Sequence, residues 1–281
     1  GLRYDTVDQE RTETIQSRSN GTTTATVSES ETERYDDAVT PRLGIVYQPT
    51  DTIALYASYA QSFTPNTGVD IEGNTLEPEL GEGFEVGIKA DIIPDRLSAT
   101  LAYFNITRQN VATADPSDPR LQASIATGEQ RSRGIELDIG GEILPGWNII
   151  ASYAYTDAEV TEDNDLDVGS RLAGIPEHSA SLWTTYRIQS GGLEGLGFGL
   201  GFNYVGAREG GSFMTSDNTF EVDSYFLTNA AMFYKRDNWQ IQVNIDNLFD
   251  VGYVESLGTG RSRGIFLGDP LTLRSSSSIS F

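Results

Sequence analysis

His178 is the single histidine of the chain, and there is no cysteine. Metal sites built on several imidazoles or on thiolates are therefore excluded, as are cysteine nucleophiles and a disulfide scaffold. A hydrolase embedded in a β-barrel needs a His and a Ser two residues apart on one strand face. Position 180 is alanine, and Ser179 and Ser181 alternate to the side opposite His178. His178 reads instead as a solvent-facing or loop-anchoring residue. Asp163-Asn164-Asp165-Leu166-Asp167 has the acidic spacing of a calcium loop, but Val168 stands where glycine is needed and Gly174 where glutamate is needed. The glycine-rich run 191–201 lacks G-x-G-x-x-G spacing and falls in a strand pattern, so it is no nucleotide cradle. Its small residues suit a place that something else fills closely. The triplets Asn20-Gly21-Thr22 and Asn105-Ile106-Thr107 match a glycosylation acceptor by chance. No residue set for covalent chemistry remains, and an enzyme is not expected.

The elements around these residues must then be read. The 281 residues carry 19 basic and 41 acidic side chains, a net charge of −22, with Lys89 and Lys235 the only lysines. Such a surface argues against nucleic acid as a partner. No run of 18 apolar residues exists, so no transmembrane helix is expected. The start, Gly1-Leu2-Arg3-Tyr4-Asp5, has neither an initiator Met nor a basic and apolar leader. The chain is expected to begin partway through a longer one.

Period-2 alternation runs through the chain in segments of about ten residues, the length that a tilted membrane strand needs. Phe84, Val86, Ile88, Ala90 and Ile92 share one face against Glu85, Gly87, Lys89 and Asp91. Leu196, Phe198, Leu200, Phe202 and Tyr204 oppose Gly197, Gly199, Gly201 and Asn203. Trp239, Ile241, Val243 and Ile245 oppose Gln240, Gln242, Asn244 and Asp246. Twelve strands are expected near 2–10, 36–48, 52–62, 83–93, 96–109, 131–143, 146–156, 178–188, 195–206, 224–235, 238–248 and 271–281. Long joints at 10–37, 62–82, 110–131, 157–178, 207–223 and 249–270 alternate strictly with short ones. A Greek-key sandwich scatters its loop lengths; a transmembrane β-barrel with long extracellular loops and short periplasmic turns does not. The fold class expected is all-β, an antiparallel transmembrane barrel.

More than two thirds of the acidic residues fall in the six long loops, which puts the acidity on one rim. The runs Glu29–Glu33 and Glu162–Asp167 read either as solvated loop tips or as divalent-cation bridges to an anionic outer leaflet. Aromatic residues gather near strand ends (Tyr56, Tyr59 and Phe63; Tyr103 and Phe104; Trp147, Tyr153 and Tyr155; Trp183 and Tyr186), as interfacial girdles require. The last strand ends on Ile279 and Phe281, similar to the C-terminal assembly signal of outer-membrane barrels, with Ser275 and Ser277 where apolar side chains are usual.

Several segments together resemble the TonB-dependent siderophore receptors. They are Thr40–Tyr47 followed by Leu55–Phe63, Leu76–Glu79 leading into Glu82–Lys89, Ala102–Thr107, Arg131–Leu137, Ile175–Trp183 and Val243–Asp250. Their order and spacing match along essentially the whole chain, with the ferrichrome-type branch nearest. The resemblance implies a 22-stranded barrel closed by an N-terminal plug. Residues 1–281 would be its C-terminal portion, about 12 strands, without the plug and the leading strands. It also implies a bacterial outer-membrane protein that takes up ferric siderophores and is driven by the TonB energy-coupling complex through that plug. Other implied partners are outer-membrane lipid and the barrel assembly machinery. No cofactor is implied, and iron enters only within the ligand.

A ferric chelate is held by aromatic faces and Arg donors. The loop and rim candidates are Phe63, Arg120, Trp183, Tyr204, Arg208, Phe213, Phe220, Tyr225 and Phe266. The acidic rim fits a neutral, hydroxamate-type chelate better than an anionic one. The alternative is a self-contained twelve-stranded barrel acting as a passive pore.

Overall fold

A computed structural model describes residues 1–17, 26–118, 123–212, 219–257 and 264–280. It contains one twelve-stranded antiparallel sheet and two small hairpins. The sheet strands are β1 (Leu2–Ser17), β2 (Thr26–Thr50), β3 (Ile53–Thr64), β4 (Glu79–Ile93), β5 (Leu97–Ala114), β6 (Ser124–Leu144), β7 (Trp147–Glu162), β8 (His178–Arg187), β9 (Leu196–Val205), β12 (Tyr225–Arg236), β13 (Trp239–Asp246) and β16 (Thr272–Ile279). Each strand pairs with its neighbours in sequence, an up-and-down meander with β1 and β16 at the two edges. The sheet is thus a partial barrel wall and does not close on itself, unlike the self-contained barrel of the alternative reading.

Residues directly opposite in an antiparallel pair share a face, so the register fixes both surfaces. Tyr59 faces Phe84, Val86 faces Tyr103, and Tyr103 faces Ile135. These residues, with Leu43, Ile45, Phe198, Leu200, Phe226, Met232 and Ile241, make an outer apolar surface whose large side chains are mostly exposed. An exposed apolar band of this extent belongs against lipid. His178 lies on this outer face, tilted against the Tyr155 ring, with Nδ1 2.9 Å from the Tyr153 hydroxyl. It is part of a girdle, and Ser179 and Ser181 point the other way.

The inner face is polar. The Tyr56 hydroxyl donates to Glu85 at 2.5 Å, and the Lys89 ammonium sits 5.3 Å from the Tyr56 ring centre. The hydroxyls of Ser152 and Ser181 are 2.8 Å apart, and Gln240, Gln242 and Asn244 form a side-chain ladder. Trp183 lies flat across β9, where a Cβ at Gly199 would come within 2.7 Å of its ring and one at Gly201 within 2.5 Å. The glycine stripe is filled by this chain's own aromatic rings, Trp183 over Gly199 and Gly201 and Phe233 over Gly197.

The short turns are tight. Gly195 closes one of them at φ +90°, where a side chain would also meet the carbonyl of Lys235. At the other end the strands run further than alternation predicts: β1 reaches Ser17, β5 reaches Ala114 and β7 reaches Glu162. There the hairpins stand beyond the apolar band, and cross-strand ion pairs replace apolar contacts. Arg131 faces Glu159, and Arg133 holds Asp157 at 2.8 Å. Backbone pairing continues without the amphipathic pattern that a sequence reading depends on. The two small hairpins, β10 (Arg208–Ser212) with β11 (Thr219–Val222) and β14 (Val254–Leu257) with β15 (Ile265–Leu267), lie where loops were expected.

Candidate functional site

The two small hairpins meet at the long-loop end of β12 and β13. Their contact is built on Arg208, at the first position of β10, only 4% exposed. Its Nη2 donates to the carbonyls of Val254 at 2.8 Å and Glu255 at 3.2 Å on β14. The guanidinium carbon lies 5.8 Å from the centre of the Tyr225 ring, a cation–π contact. Tyr225 in turn packs against Tyr253, the rings tilted by 43° with centroids 4.5 Å apart. Burial raises the Tyr253 hydroxyl above its ordinary pKa, and the nearby Glu255 carboxylate adds to the effect. Tyr253 covers Gly268, where any side chain would collide with the ring. Phe220 of β11 covers Gly210 of β10 in the same way.

Arg208 Nη1 is buried and has no hydrogen-bond partner among the described residues. A buried donor left unsatisfied costs about 1–3 kcal/mol, so such groups are few in folded proteins. A cavity of about 730 Å³ opens at the same mouth, lined by Phe220, Tyr225, Phe226, Tyr253, Val254, Ile265 and Leu267, with Glu221, Asp223 and Asp250 among its polar walls; Arg208 adjoins it only through Tyr225 and Val254. Among the described residues no Lys or Arg lines this cavity. The hairpin at its side carries Glu209 directly opposite Glu221.

One asparagine anchors the assembly. Asn247 follows β13, is 3% exposed and adopts φ +51°. Its Nδ2 donates to the carbonyls of Val251 at 2.9 Å and Asp269 at 3.1 Å, and its Oδ1 accepts the Val251 N–H at 2.8 Å. Its own N–H donates to Asn229 Oδ1 at 2.8 Å. Asp250 Oδ1 then receives the N–H of Leu271 at 2.9 Å. Asn247 thereby ties both stems of the β14–β15 hairpin to the end of the sheet.

Of the candidate ligand residues, Arg208, Phe220 and Tyr225 come together here. Phe266 lies on β15, opposite Ser256 and exposed. Trp183 is on the inner face, over the β9 glycines. Phe63, opposite Leu80, and Tyr204, opposite Ala180 and Phe226, are on the outer apolar face and join no inner cluster. Arg120, Phe213 and Phe281 lie outside the described residues. Ile279 pairs with Trp239 at the edge of the sheet. Asp163 turns its carboxylate to the N–H groups of Asp165 and Leu166, closing its own turn. Among the described residues no group of three or more His, Cys, Asp or Glu is arranged to hold a metal. Sequence reasoning missed Tyr253 and Asn247. The available signal was an asparagine, able to take positive φ, directly after an alternating strand.

Residues 1–248 match the family model described as "TonB dependent receptor-like, beta-barrel". The chain belongs to this family. It is 40% identical over 256 residues to the metal-pseudopaline receptor CntO of Pseudomonas aeruginosa, covering 91% of this chain and 35% of that protein. It is 35% identical over 262 residues to the ferrichrome outer membrane transporter/phage receptor of Escherichia coli, covering 91% and 32%. The solved siderophore receptor PiuA of Acinetobacter baumannii superposes with a TM-score of 0.81 at 27% identity, over 99% of this chain and 40% of that one. The chain thus spans about a third of the length of these curated relatives. It is a portion of an integral outer-membrane barrel, in a family of receptors and transporters. Nothing in these relationships supports a passive pore.

Proposed function

We propose that the protein carrying this chain imports ferric siderophores across the outer membrane. The observation that carries the reading is the mouth between the two hairpins, where Tyr225 and Tyr253 line an aromatic-walled cavity and a buried guanidinium packs on the Tyr225 ring. Recognition there is non-covalent, and transport needs no reactive side chain. The carboxylates lining the cavity repel anionic ligands, which supports a neutral chelate of hydroxamate type. Residues 1–281 form part of the barrel wall, and further strands pair with the free edges of β1 and β16, because unpaired backbone groups are costly in lipid. Energy comes from the TonB complex acting on a plug inside that barrel. The barrel assembly machinery reads the strand that carries Ile279 and Phe281, and outer-membrane lipid meets the apolar face.

The test is uptake of radioiron as ferrichrome by cells with and without the gene. Uptake that requires both the gene and an energised inner membrane is the expected result. Uptake unchanged by deletion, or persisting after the proton-motive force is collapsed, would overturn the reading.

A further inference from the structure

The short-turn end of the sheet carries another opening, of about 570 Å³, between the β8–β9 turn and the β12–β13 turn. Arg187, Lys235 and Arg236 line it, with Glu194 and Asp237 the only carboxylates on its described walls. Three cations, one of them from the two lysines of the chain, thus share one opening in a protein of net charge −22. Backbone pairing brings them together. The Lys235 N–H donates to the Gly195 carbonyl at 2.9 Å, and the Gly195 N–H closes the β8–β9 turn on Ile188 at 3.0 Å. Eight described arginines are in ion pairs with carboxylates, among them Arg96 of the β4–β5 turn, held by Glu142 at 3.4 Å. Arg187, Lys235 and Arg236 have no such pair among the described residues. Arg236 meets the Tyr234 hydroxyl, and Asp237 and Glu194 act on it through their fields alone.

The register fixes which side of the wall each cation reaches. Arg236 is directly opposite Trp239 and Tyr234 is opposite Ile241, so both are on the outer face. The Tyr234 and Trp239 rings are 5.4 Å apart there, an amphipathic pair of the kind that sits at a membrane–water interface. Above them Phe198 faces Met232, both about half exposed on the lipid side. Arg187, opposite Gly197, and Lys235, opposite Gln240, approach the opening from the inner face.

We propose that this rim binds the headgroup phosphate of an anionic phospholipid of the periplasmic leaflet. Arg236 holds it from the membrane side and Lys235 and Arg187 from beneath, while the acyl chains lie along Met232 and Phe198. A phosphodiester supplies the acceptor oxygens that these unpaired cations lack, whereas a zwitterionic headgroup brings its own cation and gains less. Cations on the inner face alone would suit a partner inside the barrel. Arg236 and the Tyr234–Trp239 pair set the opening at headgroup level instead. The proposal is independent of what the receptor imports.

The test is native mass spectrometry of the full receptor in detergent, titrated with dioleoylphosphatidylglycerol and, in parallel, with dioleoylphosphatidylcholine. Each variant is first checked for folding by heat-modified gel mobility. The wild type should retain phosphatidylglycerol in preference to phosphatidylcholine. R236Q and K235Q should each lose about fivefold in phosphatidylglycerol affinity, as a cation near an anionic membrane surface contributes. D237N, which removes a carboxylate from the wall, should bind more tightly, a change that misfolding cannot imitate. R96Q, from another short turn, should bind as the wild type does. Equal retention of the two lipids by the wild type would overturn the proposal, as would equal losses in R96Q and R236Q. A loss confined to R187Q and K235Q would mean a partner inside the barrel and would overturn it too. So would displacement of the lipid by millimolar inorganic phosphate, which would make this a site for the free anion.

Discussion

Asn247 makes three side-chain hydrogen bonds from a left-handed backbone position, so its replacements separate two effects that are usually merged. Asn247→Ala removes the three bonds, at about 1 kcal/mol each. It also puts a Cβ without a compensating polar group at φ +51°, at about 1 kcal/mol more. The local loss is then about 4 kcal/mol, or roughly a thousandfold in the equilibrium for opening the segment. Asn247→Gly loses the same bonds and relieves the backbone, so it should open the segment only about a hundredfold more than wild type. Asn247→Asp keeps the acceptor for Val251 but sets a carboxylate against the carbonyls of Val251 and Asp269, and should be at least as damaging as alanine. The assay is amide hydrogen exchange at Leu248, Gly268 and Leu271, whose N–H groups donate to Thr228, Tyr253 and Asp250. The expected order of protection is wild type, Gly, then Ala and Asp. Exchange in the alanine variant within about tenfold of wild type would mean that Asn247 does not hold the hairpin stems. Equal exchange for Ala and Gly would refute the backbone part of the argument.

Gly199→Ala places a methyl 2.7 Å from the Trp183 ring, which must swing off β9, at a cost of about 1–3 kcal/mol. With Trp147 and Trp239 replaced by Phe, the Trp183 emission should shift to the red, and an unchanged spectrum would show that the ring does not lie on the glycines. In the loop after β3, the side-chain amide of Asn74 and the backbone N–H groups of Asn74, Glu72 and Gly73 hold the Asp70 carboxyl below its ordinary value of 3.8. A lowered pKa contributes stability that is present above 3.8 and lost as the pH falls through the lower, folded value. Pepsin cleavage within 65–78 should therefore rise steeply below pH 3.8 in the wild type and be high throughout that range in Asp70→Ala. A wild-type rate that follows only the enzyme's own pH profile would contradict this.

The sheet was legible because a strand with one lipid face must alternate, and alternation survives in residues such as Phe198, Leu200 and Phe202 whatever the distant contacts are. The same parity could have been applied further. Tyr204 falls on the apolar side of its own strand pattern and Phe63 two residues past Gln61, yet both read as ligand residues by side-chain type alone. Their register with Phe226 and Leu80 puts them on the lipid side, so face should outrank type. The run Gly197, Gly199 and Gly201 was legible as a surface made for close filling. What fills it was not, since Trp183 reaches Gly199 and Gly201 only through the pairing of β8 with β9, and Phe233 reaches Gly197 through that of β9 with β12.

The mouth was the least legible part, and the reason is physical. Arg208 reaches across 46 and 47 residues to carbonyls of Val254 and Glu255, and a backbone carbonyl has no residue type to recognise. In a chain with 41 acids and 19 bases, the default for a loop arginine is an ion pair, and the sequence lends every one the same description. Arg131 and Arg208 differ only in what the fold sets opposite them: Glu159 for the first, two carbonyls and a ring for the second. An ion-paired surface arginine has its charge answered and can be exchanged with little consequence. A buried one held by two carbonyls and a ring is fixed by its surroundings, and its exchange is expected to loosen the contact between the two hairpins. For that reason the arginine that breaks the local pattern, rather than the acidic rim that dominates the composition, marks the joint between the two hairpins.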